Sequence, residues 1–347
     1  MNTLPKVVDL FCGIGGLTHG FVKEGFNVVA GIDFDGECRF AYEKNNNSKF
    51  LQRDLTVTHS SEVNELFGDS KLKVLIGCAP CQAFSTLNNK STLNDKWKLL
   101  YSFGRFISEI KPDIISMENV PNLLKFDSGK VFNDFVKVLE ISGYQVTYKV
   151  LNAKEYGVPQ NRNRLILIAS LHGKVEFLPP THNDGNFVSL KKAIGHLPEI
   201  SDGEVCAKDS LHRSRSLSPL NKKRIEATPY GGGWTNWPEE LRLECHNRAT
   251  GKTYGSFYGR MTWEDVAPTL TTQCIGLGNG RFGHPEQNRA ISLREAAIIQ
   301  SFPDNYELIN PNKKISIGLL SRHIGNAVPV LLGSFIARTI KYHLSQL

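Results

Sequence analysis

Short apolar runs with strand character alternate with helical patterns through the first half of the chain. The first run breaks at Gly13, and a helical stretch follows at about residues 16–24. Strands that alternate with helices are typical of a parallel sheet with helices on both faces. We therefore predict an α/β fold with a doubly wound, mostly parallel, Rossmann-like sheet. The strand-like runs lie at residues 7–11, 27–32, 73–77, 113–117 and 165–169.

Helical spacing of apolar residues is clear in two segments of this half. The second segment stops before Gly143, a common helix stop. Farther on, Ser292 and Glu295 form a capping-box pattern that opens another helix. A last helix is expected from about Asn326 to Tyr342. The two segments contain Leu99, Phe103, Phe106, Ile107 and Ile110, and then Phe132, Phe135, Val136 and Leu139.

The character of the sequence changes near residues 178–180, a Leu-Pro-Pro triplet. From there to about residue 285 the periodicity fades, while Gly, Trp, Arg and His accumulate. A chain of 347 residues is long enough for about two domains. We predict a smaller irregular domain at residues 181–285 and a hinge segment at residues 286–316. The main domain then combines residues 1–180 with residues 317–347.

The composition is that of a globular protein, with 40% hydrophobic and 22% charged residues. A formal net charge of +7 favours an anionic partner without identifying it. Seven cysteines is an odd number, and their spacing is irregular, so we expect reduced thiols in a cytoplasmic protein. Neither a signal peptide nor a run of ~18 apolar residues is visible, so no membrane association is expected.

A glycine-rich turn, DLFCGIGG at residues 9–16, ends the first predicted strand. Its three glycines let a ligand approach the backbone, and the following helix offers its positive N-terminal end. A dinucleotide fingerprint would have another glycine where Thr18 stands, which weakens a pyrophosphate interpretation. Asp33 and Asp54 are expected at the same sheet edge, where Asp33 can accept the two hydroxyls of a ribose. Together these features predict a nucleoside-containing cofactor.

A second motif, GCAPCQAFS at residues 77–85, directly follows a buried strand. Cys78 and Cys81 have three interpretations: a thioredoxin-like redox pair, two of four zinc ligands, or one nucleophile with an incidental neighbour. Zinc is disfavoured because the sequence has no second closely spaced Cys/His pair, and we predict no metal site. The redox interpretation is weaker because the pair follows a later strand than the first long one.

Two further motifs carry charged residues at strand ends. Glu118 lies in an ENV triplet after a buried strand, where a lone acid usually caps the next helix. Arg162 and Arg164 alternate within QNRNR, which leads into an apolar strand and would place both guanidinium groups on one face. A solvated strand edge would explain two such charges equally well.

Taken in order, these motifs resemble the motif series of the DNA cytosine-5 methyltransferases. The resemblance covers about residues 7–170 and 291–340, and it implies a class I methyltransferase fold of the prokaryotic restriction-modification type. In the middle third only Thr269-Leu270 matches, so residues 181–285 are expected to be the target-recognition domain. Cys12, Cys78, Ala79 and Ala83 stand where other members often have Ala, Gly or Pro. The series is DLFCGIGG, Asp33, Asp54, APCQ, ENV, QNRNR and a closing GNAV at residues 325–328.

The resemblance also implies catalytic roles. Cys81 would attack ring carbon 6 of cytosine and turn carbon 5 into an enamine carbon that can accept a methyl group. Glu118, as a neutral acid, would protonate ring nitrogen 3. Arg162 and Arg164 would hold the base and its developing charge.

S-adenosylmethionine is the cofactor that the resemblance implies. Phe34 would pack on the adenine, and Asn326 and Val328 would close the pocket. The expected cofactor-binding residues are Phe11, Cys12, Gly13, Ile14, Gly15, Gly16, Leu17, Asp33, Phe34, Asp54, Leu55, Pro80, Asn326 and Val328.

Double-stranded DNA is the implied partner, and its target cytosine has to leave the stack because carbon 5 is unreachable inside a duplex. A basic run around His212 is suited to phosphates, which position but do not specify, although such runs are often only solvated. DNA is expected to lie in a cleft between the two domains. The expected DNA-binding residues are Gln82, Ser85, Arg213, Arg215, Lys222, Lys223, Arg224 and Thr269.

We expect a monomer with no obligatory protein partner, paired functionally with a restriction endonuclease by analogy. Two other functions are compatible with the motifs. One is a transfer RNA methyltransferase of the same family, which would share every catalytic residue. The other is a non-enzymatic DNA-binding protein on this scaffold, against which the intact Cys81, Glu118, Arg162 and Arg164 argue.

Overall fold

The computed structural model describes residues 5–80, 98–248 and 255–347. The chain divides into two compact units. Unit 1 comprises Met1–Tyr156, Asn163–Thr181 and Ala327–Leu347, and unit 2 comprises Gly157–Arg162 and His182–Asn326. The expected hinge segment, residues 286–316, lies within unit 2, and so do residues 317–326 of the expected main domain.

Unit 1 is built on a seven-stranded sheet in the order β3-β2-β1-β4-β5-β7-β6. Within the run β3-β2-β1-β4-β5 each pair of neighbouring strands is parallel. β7 runs antiparallel to both β5 and β6. The strands are β1 Lys6–Leu10, β2 Asn27–Asp33, β3 Lys49–Gln52, β4 Lys73–Gly77, β5 Ile114–Asn119, β6 Gln145–Asn152 and β7 Asn163–Ser170.

Helices cover both faces of this sheet. Unit 1 contains α1 Gly16–Lys23, α2 Arg39–Asn46, α3 Ser60–Glu65, α4 Lys98–Ile110, α5 Lys130–Ile141 and α10 Val330–Ser345. Because successive strand residues point to opposite faces, each strand supplies two cores. Val8 packs in the core shared with α4 and α5, while Val7 packs in the core shared with α1 and α10. The predicted doubly wound α/β fold is confirmed.

The backbones of α1 and α10 approach each other closely at two glycines. A Cβ added at Gly20 would lie 2.5 Å from the carbonyl carbon of Gly333. Ser334 also donates a hydrogen bond to the carbonyl oxygen of Gly20, at 3.2 Å. The C-terminal helix is therefore fixed against the helix that follows the glycine turn, so the two ends of unit 1 form one core.

The C-terminal helical region differs from the sequence prediction. Asn326 ends a helix, α9 Ile317–Asn326, and the last helix begins after Pro329, which is its N-cap. Residues Ile317–Ser345 are apolar enough to pass a test for a membrane span, but 67% of the apolar window is buried in the protein. Neither helix reaches the ~20 residues that a span requires, and core packing explains the apolar character.

Unit 2 contains short helices and isolated bridges in its described part. Its α-helices are α6 Leu190–Ile194, α7 Pro219–Glu226, α8 Leu293–Ile299 and α9. The predicted capping box at α8 is present, since Ser292 Oγ accepts from the Glu295 amide and Glu295 Oε2 accepts from the Ser292 amide. Arg260 holds the irregular segments together by donating to the carbonyl oxygens of Thr228, His284 and Ile225.

Candidate active site

The glycine turn after β1 adopts the left-handed backbone conformations that glycine favours. Gly13 and Gly15 have φ angles of 51° and 87°, and Phe11, which has a side chain, also has a positive φ of 61°. Gly15 is the N-cap of α1. A Cβ on Gly13 would meet no atom within 4 Å, so the turn faces open space. Backbone of this kind can be approached closely by a ligand.

Asp33, at the end of β2, fixes the turn from the neighbouring strand. Its Oδ2 accepts a hydrogen bond from the Gly13 amide at 2.8 Å, and its Oδ1 accepts from the Asp35 amide at 2.9 Å. A carboxylate accepts only, so Asp33 places an acceptor beside the glycine turn. The ring of Phe34, beside Asp33, is 74% exposed and offers a free aromatic face.

Asp9, at the start of the same motif, is buried and is hydrogen-bonded by Thr18. The Thr18 hydroxyl donates to Asp9 Oδ2 at 2.6 Å, so the residue that replaces the third glycine holds this acid. Burial raises the pKa of Asp9 to about 8, and Asp33 raises it further, while the bond from Thr18 works against this. Burial likewise raises the pKa of the Cys12 thiol, which makes Cys12 unreactive.

Asp54 is exposed after β3 and shapes its own turn. Its Oδ1 accepts hydrogen bonds from the amide and the hydroxyl of Thr56, at 2.9 and 2.7 Å. These bonds lower the pKa of Asp54, so its carboxylate is charged. The next residue, Leu55, is buried in the core shared with α4.

The other expected cofactor residues are divided between core and surface. Ile14, Gly16, Leu17 and Val328 are buried, and Leu17 and Val328 pack in the core shared by α1 and α10. Pro80 is partly exposed and Asn326 is exposed. The structure brings the glycine turn, Asp33 and Phe34 to one sheet edge, and the contacts of these residues with a cofactor stay predictions.

Glu118 lies near the end of β5 and is 3% exposed. Two side chains of unit 1 contact its carboxylate. Arg164 Nε, from the antiparallel strand β7, lies 2.8 Å from Oε1, and Cys78 Sγ donates to Oε2 at 2.6 Å. The next helical turn is capped by Val120, so Glu118 is not its cap, and Cys78 contacts Glu118 directly.

Asn119 connects this strand to the cysteine motif. Its Nδ2 donates to the carbonyl oxygen of Ala79, which lies two residues before Cys81 in the sequence, at 3.2 Å. Its Oδ1 accepts from the amide of Val120. Cys81, Gln82 and Ser85 lie outside the described residues. The sequence did not predict the contact of Cys78 with Glu118 or any role for Asn119, although both residues stand inside the motifs.

Arg162 differs from Arg164 in what it contacts. Its guanidinium is 3% exposed and donates to the carbonyl oxygens of Leu270 and Gly325 and to Gln160 Oε1. These contacts tie three segments of unit 2 together. The two arginines therefore have different contacts in this structure, and the expectation that both hold the base stays a prediction.

Only some residues of the basic run in unit 2 are exposed to solvent. Arg224 is buried, donates to the carbonyl oxygen of Leu241, and lies over the rings of Trp237 and Tyr258. His212 is buried as well and contacts Ser292. The guanidinium of Arg224 is therefore engaged within unit 2, and its contact with a phosphate stays a prediction.

The remaining expected DNA contacts are exposed or partly exposed. Arg215 and Lys223 are exposed, and Lys222 Nζ lies 3.0 Å from Asp202. Arg213 is partly exposed, and its Nε donates to the carbonyl oxygen of Ser210. Thr269 is exposed, and its hydroxyl donates to the carbonyl oxygen of Asn161 at 2.6 Å. Their contacts with DNA stay predictions.

The family model for C-5 cytosine-specific DNA methylases matches residues 5–342 of the chain. The chain belongs to this family. The prediction of an enzyme that methylates carbon 5 of cytosine in DNA is thereby confirmed.

Relatives match over nearly the whole chain. The Type II methylase M.HgiDII of Herpetosiphon aurantiacus is 50% identical over 341 residues, which cover 98% of this chain and 96% of that protein. The Type II methyltransferase M1.HphI of Haemophilus parahaemolyticus is 31% identical over 96% of this chain and 86% of its own length.

Solved structures share the fold at lower identity. A crystal structure of DNMT2 from Spodoptera frugiperda superimposes with a TM-score of 0.67 at 18% identity, over 97% of this chain and 99% of that chain. The Entamoeba histolytica methyltransferase EhMeth gives a TM-score of 0.66 at 16% identity, over 99% of both chains. At these identities the structures bear on the fold alone.

Proposed function

We propose that this enzyme transfers the methyl group of S-adenosylmethionine to a flipped-out cytosine in a short sequence of double-stranded DNA, with Cys81 as the nucleophile. The observation that carries the proposal is the environment of Glu118. A buried carboxylate held by Arg164 and Cys78, at the end of the strand next to the cysteine motif, is suited to proton exchange with a base.

The residues at the neighbouring strand ends fit S-adenosylmethionine. Glycine backbone that faces open space suits close contact, the carboxylate of Asp33 beside this turn suits ribose hydroxyls, and the exposed ring of Phe34 suits an adenine. The charged carboxylate of Asp54 is compatible with a cationic or hydroxyl-bearing ligand. When bound, the cofactor supplies an electrophilic methyl group on a sulfonium centre.

The side chains of the protein would act on the cytosine. A bond forms between the thiolate sulfur of Cys81 and ring carbon 6, while Glu118 in its protonated form delivers that proton to ring nitrogen 3 and becomes a carboxylate, so that carbon 5 gains enamine character. Arg164 would orient the Glu118 carboxylate during this step. Carbon 5 takes the methyl group as the methyl–sulfur bond of the cofactor breaks, which leaves a neutral thioether. The carbon-5 proton then passes to a base, Cys81 leaves as the thiolate, and the proton on ring nitrogen 3 returns to Glu118, which restores the aromatic ring.

Unit 2 is the candidate for sequence recognition. Its exposed Arg215 and Lys223 suit phosphates, and its irregular segments, held by Arg260, suit the reading of base edges. We propose a monomeric cytoplasmic enzyme that pairs functionally with a restriction endonuclease, by analogy with its Type II relatives.

Incubation with tritiated S-adenosylmethionine tests the proposal directly. Genomic DNA and total transfer RNA are offered in parallel, and the modified bases are identified after digestion. We expect label in 5-methylcytosine from DNA alone. Label in transfer RNA alone would show that the substrate is transfer RNA and not DNA. No label in either nucleic acid would contradict the catalytic proposal.

Covalent trapping tests the nucleophile. DNA with 5-fluorocytosine at the target cannot lose its carbon-5 substituent, so it should remain linked to Cys81. We expect a denaturation-resistant complex with the wild type and with Cys245→Ser, which changes an exposed cysteine. Cys81→Ala should bind the DNA without forming this complex. A complex that persists in Cys81→Ala would assign the nucleophile elsewhere.

A further inference from the structure

Arg105 lies on α4, away from the motif residues, yet it contacts the segment that carries Asp54. α4 buries Leu100, Phe103 and Phe106 in the core of unit 1. Arg105 is only partly exposed, and its guanidinium carbon lies 4.5 Å from the centre of the Phe106 ring. The head group therefore lies against the ring of Phe106, which limits the directions in which it can donate.

The head group donates to the turn between β3 and α3. Arg105 Nη2 donates to the carbonyl oxygens of Leu55 and Thr58, at 3.1 and 2.9 Å, and Nη1 donates to Ser60 Oγ at 3.3 Å. Hydrogen bonds from a charged donor are stronger than neutral ones, and the planar guanidinium can hold several acceptors in fixed positions. A lysine has no such fork.

The same turn fixes Asp54. Its carbonyl oxygen accepts from the amides of Val57 and Thr58 and from the Thr58 hydroxyl. The two carbonyl oxygens that Arg105 holds flank these contacts, one residue and four residues after Asp54. Arg105 and the internal bonds of the turn together set the direction of an exposed carboxylate that has no burial to hold it.

An ion pair is the other explanation for Arg105. Glu109, one turn along α4, lies 4.0 Å from Nη1, and its side chain is 54% exposed. An exposed pair at that distance contributes little, whereas the three hydrogen bonds span about 50 residues of sequence. The contacts with the turn therefore account for the position of the guanidinium.

We propose that Arg105 is a positioning residue for the cofactor, which acts by holding the turn of Asp54 in the conformation that S-adenosylmethionine requires. The proposal rests on the proposed function, because Asp54 matters only if it contacts the cofactor. Its signature is a change in cofactor affinity that leaves the chemical step intact.

Calorimetry of S-adenosylmethionine binding and steady-state kinetics test Arg105→Ala together. We expect Kd for the cofactor to rise about tenfold, as the loss of a charge-assisted contact predicts. kcat at saturating cofactor should stay within about twofold of the wild type. Hydrogen exchange should become faster in a peptide covering residues 53–60 and remain unchanged in β4.

Glu109→Gln is the matched control, because it removes the partner of the ion pair and leaves the three hydrogen bonds. It should have wild-type affinity and wild-type exchange. If Arg105→Ala does not fold, Arg105→Lys replaces it, with a smaller rise in Kd and the same local increase in exchange.

Unchanged exchange and unchanged Kd in the Arg105 variants would overturn the proposal, and so would a Glu109→Gln variant that behaves like Arg105→Ala. A wild type that binds no S-adenosylmethionine would overturn the proposed function instead. In that case faster exchange in residues 53–60 would still show that Arg105 holds the turn, and unchanged exchange would overturn that contact too.

Discussion

Glu118 has neighbours on both carboxylate oxygens, and they act differently. Arg164 is a permanent cation, whereas the Cys78 thiol is a weak neutral donor. Replacement of the acid by its amide preserves shape and burial but removes the exchangeable acid proton. Glu118→Gln should therefore lower kcat by about 10²–10⁴-fold, the usual contribution of a general acid.

The measurement for Glu118 is single-turnover methyl transfer, together with cofactor affinity and thermal unfolding. Glu140→Gln, an exposed glutamate on α5, is the control and should behave as the wild type. Wild-type turnover by Glu118→Gln would remove Glu118 from the proton transfer.

Cys78 offers a finer test, because serine keeps a donor at this position and alanine does not. Loss of the contact to Glu118 Oε2 leaves Arg164 as the partner seen in this structure on the other oxygen. We expect Cys78→Ala to lower kcat about tenfold, near the 1.4 kcal/mol that a good hydrogen bond contributes, and Cys78→Ser to recover most of the loss. Equal rates in the two variants would show that the donor is irrelevant.

At the scale of elements, the sequence predicted best those strands and helix ends that depend on residues close together in the chain. β1, β4 and β5 are buried on both faces, so consecutive apolar residues such as Val7-Val8 and Ile114-Ile115 mark them in the sequence. The capping box of α8 involves only Ser292 and Glu295, which are three residues apart. β6 escaped prediction because it is an edge strand in which Tyr148 and Val150 are exposed and no apolar run forms.

The pair of α1 and α10 carries a prediction on stability. A methyl group at Gly20 would collide with the backbone of Gly333, which cannot move without shifting α10. Gly20→Ala should lower the free energy of unfolding by about 1–3 kcal/mol, the usual cost of overpacking. Gly104→Ala, in the middle of α4, is the control.

At Gly104 the new methyl group would meet Phe135 and Val138 at 3.8 and 3.9 Å, which are ordinary contacts. Alanine is also the better helix former, so Gly104→Ala should be neutral or stabilising by up to ~1 kcal/mol. Urea unfolding measures both variants. Equal stability of the two would show that the α1 and α10 backbones can separate at no cost.

At the scale of the whole molecule, the sequence located the motifs but not all of their uses. Arg224 lies over the rings of Trp237 and Tyr258, which are 13 and 34 residues away in the sequence and within irregular segments. Arg162 and Arg164 are two residues apart, yet one contacts Leu270 and the other Glu118. Such partners depend on the tertiary fold, so a basic run or an arginine pair in the sequence does not reveal which charges remain available.

Two buried groups, His284 and Asp9, have opposite effects on how the free energy of unfolding depends on pH. Burial lowers the pKa of His284 to about 4, so its contribution is present above about pH 6.5 and is lost as pH falls towards 4. Burial raises the pKa of Asp9 to about 8, so its contribution is full below about pH 4 and is lost as pH rises towards 8. The two slopes oppose each other between pH 4 and 6.5, and only that of Asp9 continues above this range.

We therefore expect the wild type to lose stability relative to Asp9→Asn between pH 6.5 and 8, by about 1.4 kcal/mol per pH unit, which corresponds to one proton. Asparagine still accepts from Thr18 but has no proton to release. Urea unfolding of the cofactor-free protein at several pH values measures this difference, and His284→Gln should change the slope only below pH 6.5. Parallel curves for the wild type and Asp9→Asn above pH 6.5 would mean that Asp9 is already ionised in the folded protein, with a counter-charge near the glycine turn that stabilises it.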